Sequence, residues 1–467
     1  MNLADLFFLF VFLPICLLLY YIKKDIKYRN MILIIFSLVF YAWGSFSGLL
    51  TLCVYTLMNF ALGQLIEKNR NTKIAKAGIA FGIVADLGLL LLYKYTGFIF
   101  SNINGLFKTD FAVRSFLVPL GLSFFTFRTI SYLLDIYWEK IEAEESFVNF
   151  LLFESLFPCA VAGPIARYST IGEQLSQRTV DLDGLYKGAT RICIGLAKKV
   201  ILADSLYTLA MSYWDEGIGG WSLLEIWYSL IVYTLYVYFD FCGYSDMAIG
   251  LGNIFGFTFD ENFNYPFMCT TISEFWQRWH MSLGTFFRDY LLYVPIFGKM
   301  RRYGGLFLVW FSTGLWHGAS WNYILWGLYY GLFILIEQLI GKKRLKKIPL
   351  WLKHVGTKFI IIIGFGIFGF TELGELGELF KGLAGLGGGG FCSEFFGTTF
   401  INNITLFAVS ILATFPVFPW ITKKIQGKQT AETVANVVLS VWCIIIFAIS
   451  VCFLVNATSN AFLYAQF

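Results

Sequence analysis

The chain has 467 residues, 58% of them hydrophobic and 14% charged, with a formal net charge of +5 and a mean hydropathy of +0.68. Soluble domains lie near roughly 45 to 50% apolar and 25% charged, so a water-soluble globular fold is excluded: its core could not absorb this much apolar surface. The positive charge does not point to nucleic acid either, because it falls in short clusters beside apolar runs with no folded basic domain behind them.

In chain order, the first apolar run is "ADLFFLFVFLPICLLLYYI", residues 4–22. No basic stretch precedes it and no small-residue cleavage site follows, so it is expected to be a retained span rather than a removable signal. Further runs occupy residues 31–43, 77–93, 229–239, 323–340, 359–370, 404–418 and 434–455. A helix needs about 20 apolar residues to cross the hydrocarbon. On that measure we expect an all-α integral membrane protein with about ten or eleven spans, several of them interrupted.

Four basic clusters separate the spans: Lys23, Lys24, Lys27 and Arg29; Lys68 to Lys76; Lys342 to Lys347; and Lys423, Lys424 and Lys428. Placing all four on the cytoplasmic side requires an even number of crossings between each pair and leaves both termini outside. There is no internal repeat and no Pro- or Ser-rich linker, so residues 1–467 are read as a single membrane-embedded domain. Nine cysteines are scattered without a C-x-x-C spacing and read as small buried hydrophobes, apart from Cys392 in an expected outer loop. Within that loop "GLAGLGGGG" (382–390) is not a phosphate loop, since no strand precedes it and no Gly-Lys-Ser/Thr follows.

Between residues 239 and 320 polar residues, glycines and prolines break the apolar pattern every few positions. Broken or re-entrant helices are expected there. Backbone of that kind is tolerated at membrane depth only when buried in protein or lining a wet cavity, so this stretch is expected to build an internal chamber.

Two of the three histidines fall in this region or at its edge. His317, in "FSTGLWHGASWNYILWG" (311–327), is flanked by Trp316 and by the small residues Gly314, Gly318 and Ala319, which let a neighbouring helix approach closely. Thr313 and Trp321 stand one helical turn to either side and are expected on its face. His280 lies in "FWQRWHMSLGTFFRDY" (275–290) with Trp279, Arg278, Arg288 and Asp289, and Glu274 is placed to pair with Arg278 four residues on. His280 reads equally as a functional group or as one more polar group of an interfacial helix; His354, in a basic loop, reads as solvated. Ionisable side chains inside membranes are costly and tend to be functional. Burial favours the neutral imidazole, a competent general base worth roughly 10² to 10⁴-fold. No serine elbow, zinc spacing or paired-carboxylate motif competes with it. In "YFDFCGYSDMAIG" (238–250) Asp240 and Asp246 point about 120° apart on an ideal helix and do not form a dyad; Asp246 could orient a partner, bind a cation or cap backbone. Asp86, Asp135, Glu154 and Asp204 are read as structural.

Taken together, "VPLGLSFFTFRTISYLLDIY" (118–137), "FPCAVAGPIARYS" (157–169), "YFDFCGYSDMAIG", "FNYPF" (263–267), "SEFWQRWHMSLGTFFRDYLLYVPIFG" (273–298) and "GLWHGASWNYILWG" (314–327) resemble the membrane-bound O-acyltransferase family, in particular the branch that O-acetylates bacterial cell-surface polysaccharides such as alginate. The resemblance implies a ring of membrane helices around a thinned centre in the bacterial plasma membrane. It implies His317 as catalytic base, His280 as the second histidine and an acyl donor entering from the cytoplasm, acetyl-CoA by class, with no tightly bound cofactor or metal. Trp316, Trp321, Trp279, Arg278, Arg288, Asp289 and Asp246 become candidate substrate-binding residues. It also implies a polysaccharide acceptor and a soluble outer-face acetyltransferase partner. The terminal "FLYAQF" fits the F-x-Y-x-x-F pattern of this branch and makes Tyr464 a candidate acyl relay; the bland alternative is an aromatic interfacial anchor. One departure stands out: the branch commonly carries an arginine after the phenylalanine that is Phe368 here, whereas this chain has Gly369. D-alanyl transfer to teichoic acid, or a transporter with histidines along a polar path, are the competing readings.

Overall fold

The structure is a computed structural model that describes residues 1–113, 116–214, 217, 219–293, 302–456 and 462–463. Among the described residues all regular structure is helical and there is no strand, as a lipid solvent demands: a helix satisfies its backbone polar groups within one segment. Among the described residues seven helices are long and apolar enough to span a membrane, or eight if a pair bent by 62° at Asn403 counts as one span. This corrects the ten or eleven spans expected from the apolar runs: the run at 4–22, for example, forms only the shorter helix Phe8–Ile22.

Contacts gather the chain into two compact units. One comprises Met1–Ile192 with Ser245–Glu261. Its helices α1 (Ile26–Gly44), α2 (Phe46–Lys68) and α3 (Lys73–Leu90) begin at Asp25, Ser45 and Thr72, whose side-chain oxygens accept backbone N–H bonds of the first turn, the usual remedy for the orphan donors of a helix start. Helices α4 (Leu122–Tyr137) and α5 (Phe147–Ser155) follow. Several buried polar groups here are paired through at least one atom, which offsets part of the cost of burying them. Arg128 donates to the carbonyls of Phe153 (3.2 Å) and Glu154 (2.7 Å), Thr129 donates to the Glu154 carboxylate (2.9 Å), and Asn59 donates to Asp86 (3.0 Å). These bonds give one oxygen each of Asp86 and Glu154 a partner within the unit. Helix α6 (Leu182–Ala197) ends in a π-helical turn, Lys198–Ala203.

The second unit comprises Cys193–Tyr244 and Asn262–Leu463. Helix α7 (Leu223–Ile254) supplies its first part to this unit. At 32 residues it is about 48 Å long. The interruptions expected from residue 239 begin only after Ile254, because α7 runs unbroken to that point: a 3₁₀ turn at Pro266–Met268, α8 of only five residues (Ile272–Trp276) and α9 of ten (Met281–Tyr290). Glu337 braces the start of α8 by accepting from the backbone of Ile272 (2.5 Å) and Ser273 (2.9 Å). Next come α10 (Arg302–His317), α11 (Trp321–Ile340) and α12 (Leu350–Gly369). Gly314 and Gly327 let α10 and α11 touch backbone to backbone: a Cβ on Gly327 would lie 3.0 Å from the Gly314 nitrogen and collide with the Trp310 carbonyl. The bent pair α13 (Glu394–Asn402) and α14 (Ile404–Ala413) and the long apolar α15 (Gln429–Asn456) complete the unit.

Candidate active site

His317 is the last residue of α10. Gly318, Ala319 and Ser320 break the chain before α11 begins, and a Cβ at 318 would collide with the Tyr323 ring. The break turns α11 back along α10, and this brings rings from two further elements onto the imidazole. Trp326 of α11 stands edge-on at 4.7 Å between centroids, Phe368 of α12 edge-on at 5.1 Å, and the adjacent Trp316 at 4.8 Å. His317 is 2% exposed.

His280 caps α9 from a left-handed backbone conformation, φ +44°, and is equally buried. Its Nδ1 lies 3.1 Å from the Asn262 side-chain oxygen. That oxygen also accepts from the Ser282 hydroxyl (2.9 Å) and the Ser282 N–H (3.3 Å). An oxygen already serving as acceptor needs a donor from the imidazole, so the network assigns the proton to Nδ1 and leaves the lone pair on Nε2. The Phe241 ring of α7 meets the imidazole at right angles, 4.6 Å away, and Trp316 lies 5.7 Å away on another side. Trp316 thus touches both histidines and is the residue through which they form one site.

The open chamber expected from the broken helices is corrected at this point: both imidazoles are buried in direct contact with aromatic rings, His317 with Trp316, Trp326 and Phe368 and His280 with Phe241 and Trp316. Among the described residues no group of three or more His, Cys, Asp or Glu side chains could hold a metal ion.

Comparison with known proteins gives the family. The model of the membrane-bound O-acyltransferase family matches residues 89–350, and a family described as predicted membrane protein, DUF2232, matches residues 6–117. The chain is 39% identical to the probable alginate O-acetylase AlgI of Pseudomonas aeruginosa, over 77% of this chain and 70% of that protein. It is 31% identical to the peptidoglycan O-acetyltransferase of Helicobacter pylori, over 71% and 69%, and 28% identical to the teichoic acid D-alanyltransferase of Bacillus subtilis, over 74% and 91%. The chain belongs to the membrane-bound O-acyltransferase family. It is a multi-pass membrane enzyme that transfers acyl groups to oxygen.

Within this acyltransferase the other candidate residues are spread more widely than the motifs suggest. Trp279 is part of the core, packed among Phe263, Phe275 and Phe365. The expectation that Trp321 lies one turn beyond His317 on the same helix is corrected: α10 ends at His317, so Trp321 opens α11 instead and is 48% exposed. Thr313 does lie on α10, its hydroxyl bonded to the Val309 carbonyl at 2.7 Å. Arg278 pairs with Glu274 at 2.9 Å, as their spacing suggests, and reaches the Asn264 carbonyl. Arg288 and Asp289 pair with each other at 2.7 Å where α9 is exposed. In the other unit, Asp246 accepts from Arg191 at 3.0 Å, and the same guanidinium also grips Glu261. Tyr464 lies outside the described residues.

Sequence reasoning missed Asn262, Phe241, Trp326 and Phe368. Asn262 directly precedes the "FNYPF" motif and Trp326 stands next to last in "GLWHGASWNYILWG", but only the tertiary fold brings their side chains to the histidines. The departure at Gly369 also has a packing reason. A Cβ there would lie 2.6 Å from the Trp214 ring and 2.9 Å from the Tyr233 ring, so the space of an arginine side chain is taken by aromatics.

Proposed function

We propose that this enzyme takes an acetyl group from a cytoplasmic thioester, acetyl-CoA by class, and passes it across the plasma membrane for O-acetylation of an extracellular polysaccharide. The observation that carries the reading is the buried pair of imidazoles joined through Trp316 in a member of this family. In the proposed step His317 accepts the proton of an attacking hydroxyl as that oxygen bonds the acyl carbon. The C–S bond breaks, and the proton passes to the departing thiolate as the thiol. The position of His317 at the end of α10 supports the role, because the negative end of a helix dipole stabilises an imidazolium by roughly 0.3–1 kcal/mol, up to about 2 when partly buried.

Tyr464 is proposed as the attacking hydroxyl. Its acetyl ester then passes to a soluble partner acetyltransferase outside. Among the described residues two spanning helices separate the first basic cluster from the second, three separate the second from the third, and one spanning helix plus the bent pair separate the last two. The even counts support a shared side within the first pair and within the last pair; a cytoplasmic side for all four clusters, with outward termini, requires one further crossing between Lys76 and Lys342.

The test is incubation of membranes with labelled acetyl-CoA, followed by mass spectrometry of the terminal peptide with Tyr464→Phe and His317→Ala as controls. A donor-dependent acetyl adduct on Tyr464 that both variants lack is the expected result. Absence of any adduct under turnover rejects the relay. D-alanyl transfer from a carrier protein, suggested by the Bacillus subtilis relative, predicts label from D-alanyl thioester and none from acetyl-CoA.

A further inference from the structure

We propose that Lys199 and Asp240 form a latch that holds the carboxy-terminal segment of the chain beside the histidine site. Lys199 sits in the π-helical turn after α6, a distortion often kept where a side chain must be re-aimed. Its side chain is 1% exposed, and its Nζ lies 2.7 Å from Asp240 and 2.8 Å from Asp204. One ammonium between two carboxylates leaves a negative charge uncompensated when both are ionised. Buried charge of that kind is costly unless further donors reach it.

The further donor comes from the end of the chain. The free oxygen of Asp240 accepts the backbone N–H of Leu463 at 2.9 Å. The preceding ring, Phe462, is 1% exposed. It lies 4.6 Å beneath the Lys199 ammonium and edge-on to Tyr244 at 4.8 Å. Two consecutive residues are therefore held in two ways: Phe462 by its aromatic face, a cation–π contact, and Leu463 by its backbone. The cluster is complete only with this segment in place.

The anchor also has a meaningful address. Asp240 is followed on α7 by Phe241, the ring that meets His280 at 4.6 Å, and adjacent Cα atoms are about 3.8 Å apart. Phe462 and Leu463 are thus pinned at the level of α7 whose next residue packs on His280, immediately before residue 464 in the sequence. Lys199 and Asp240 are positioning residues; the use of the latch in acyl transfer rests on the relay reading above, whereas the docking itself does not.

Hydrogen–deuterium exchange on the full-length protein in detergent reads the latch directly at the Leu463 amide. In the unmodified chain this amide should exchange at least about tenfold more slowly than in a free peptide of the same sequence. Phe462→Ala, which leaves the ion cluster untouched, should remove that protection while exchange along α7 stays unchanged. The charge-free variant Lys199→Met/Asp240→Leu/Asp204→Asn should do the same. Free-peptide exchange in the unmodified chain, or protection that survives both variants, overturns the proposal. The two readings separate: protection at Leu463 without acetyl on Tyr464 keeps the latch and rejects the relay. Acetylation of Tyr464 at the unmodified rate in Phe462→Ala would deny the latch any part in transfer.

Discussion

At the scale of single residues, the chemistry depends on which nitrogen of each imidazole carries the proton. His317→Ala removes the proposed base and should lower acetyl transfer by roughly 10² to 10⁴-fold, read as label moved from acetyl-CoA per minute in membranes with matched protein levels. Asn262 is the more discriminating position. Its side-chain oxygen is bonded to Ser282 and faces His280 Nδ1, so Asn262→Ala frees the ring to adopt the other tautomer or rotate. Turnover should fall roughly tenfold or more with little change in KM, short of the about 10⁴-fold known when a carboxylate orienter is lost. A rise in KM with unchanged kcat would instead make Asn262 a binding group.

At the scale of elements, the site depends on how closely α10 and α11 approach, and that approach depends on glycine. Gly327→Ala pushes a methyl group into the Trp310 carbonyl. Overpacking of this kind costs about 1–3 kcal/mol, so the thermal midpoint in detergent should drop, and activity should drop with it because Trp326 is the preceding residue. An unchanged midpoint would show that the helix pair can part without penalty. The small residues at 314, 318 and 319 announce this contact in the sequence, and the broken pattern between 239 and 320 announces the short helices α8 and α9. The partners of the histidines are not announced. Phe368 reaches His317 from a helix some 50 residues away, and no periodicity in either segment encodes that meeting. Lys199 and Asp240 pair across 41 positions, one of them in a π-helical turn that propensity alone does not foretell. Trp321 fails for the opposite reason: a spacing of four residues implies a shared face only if the helix continues, and here it stops at His317.

At the scale of the whole molecule, orientation in the membrane sets which substrates meet the site. Cys392 is exposed and precedes α13, in the loop expected on the outer side. A membrane-impermeant maleimide applied to spheroplasts should therefore modify Cys392, with Cys392→Ser as the blank. Labelling only after the membrane is opened would invert the topology and, with it, the direction of acyl passage. The backbone at His280 carries a separate consequence for heredity. A left-handed conformation excludes β-branched side chains and admits asparagine or aspartate at modest cost. The single-step substitutions open to a histidine codon are therefore unequal: asparagine and aspartate, each one base change away, are the ones that shed the imidazole while keeping the turn.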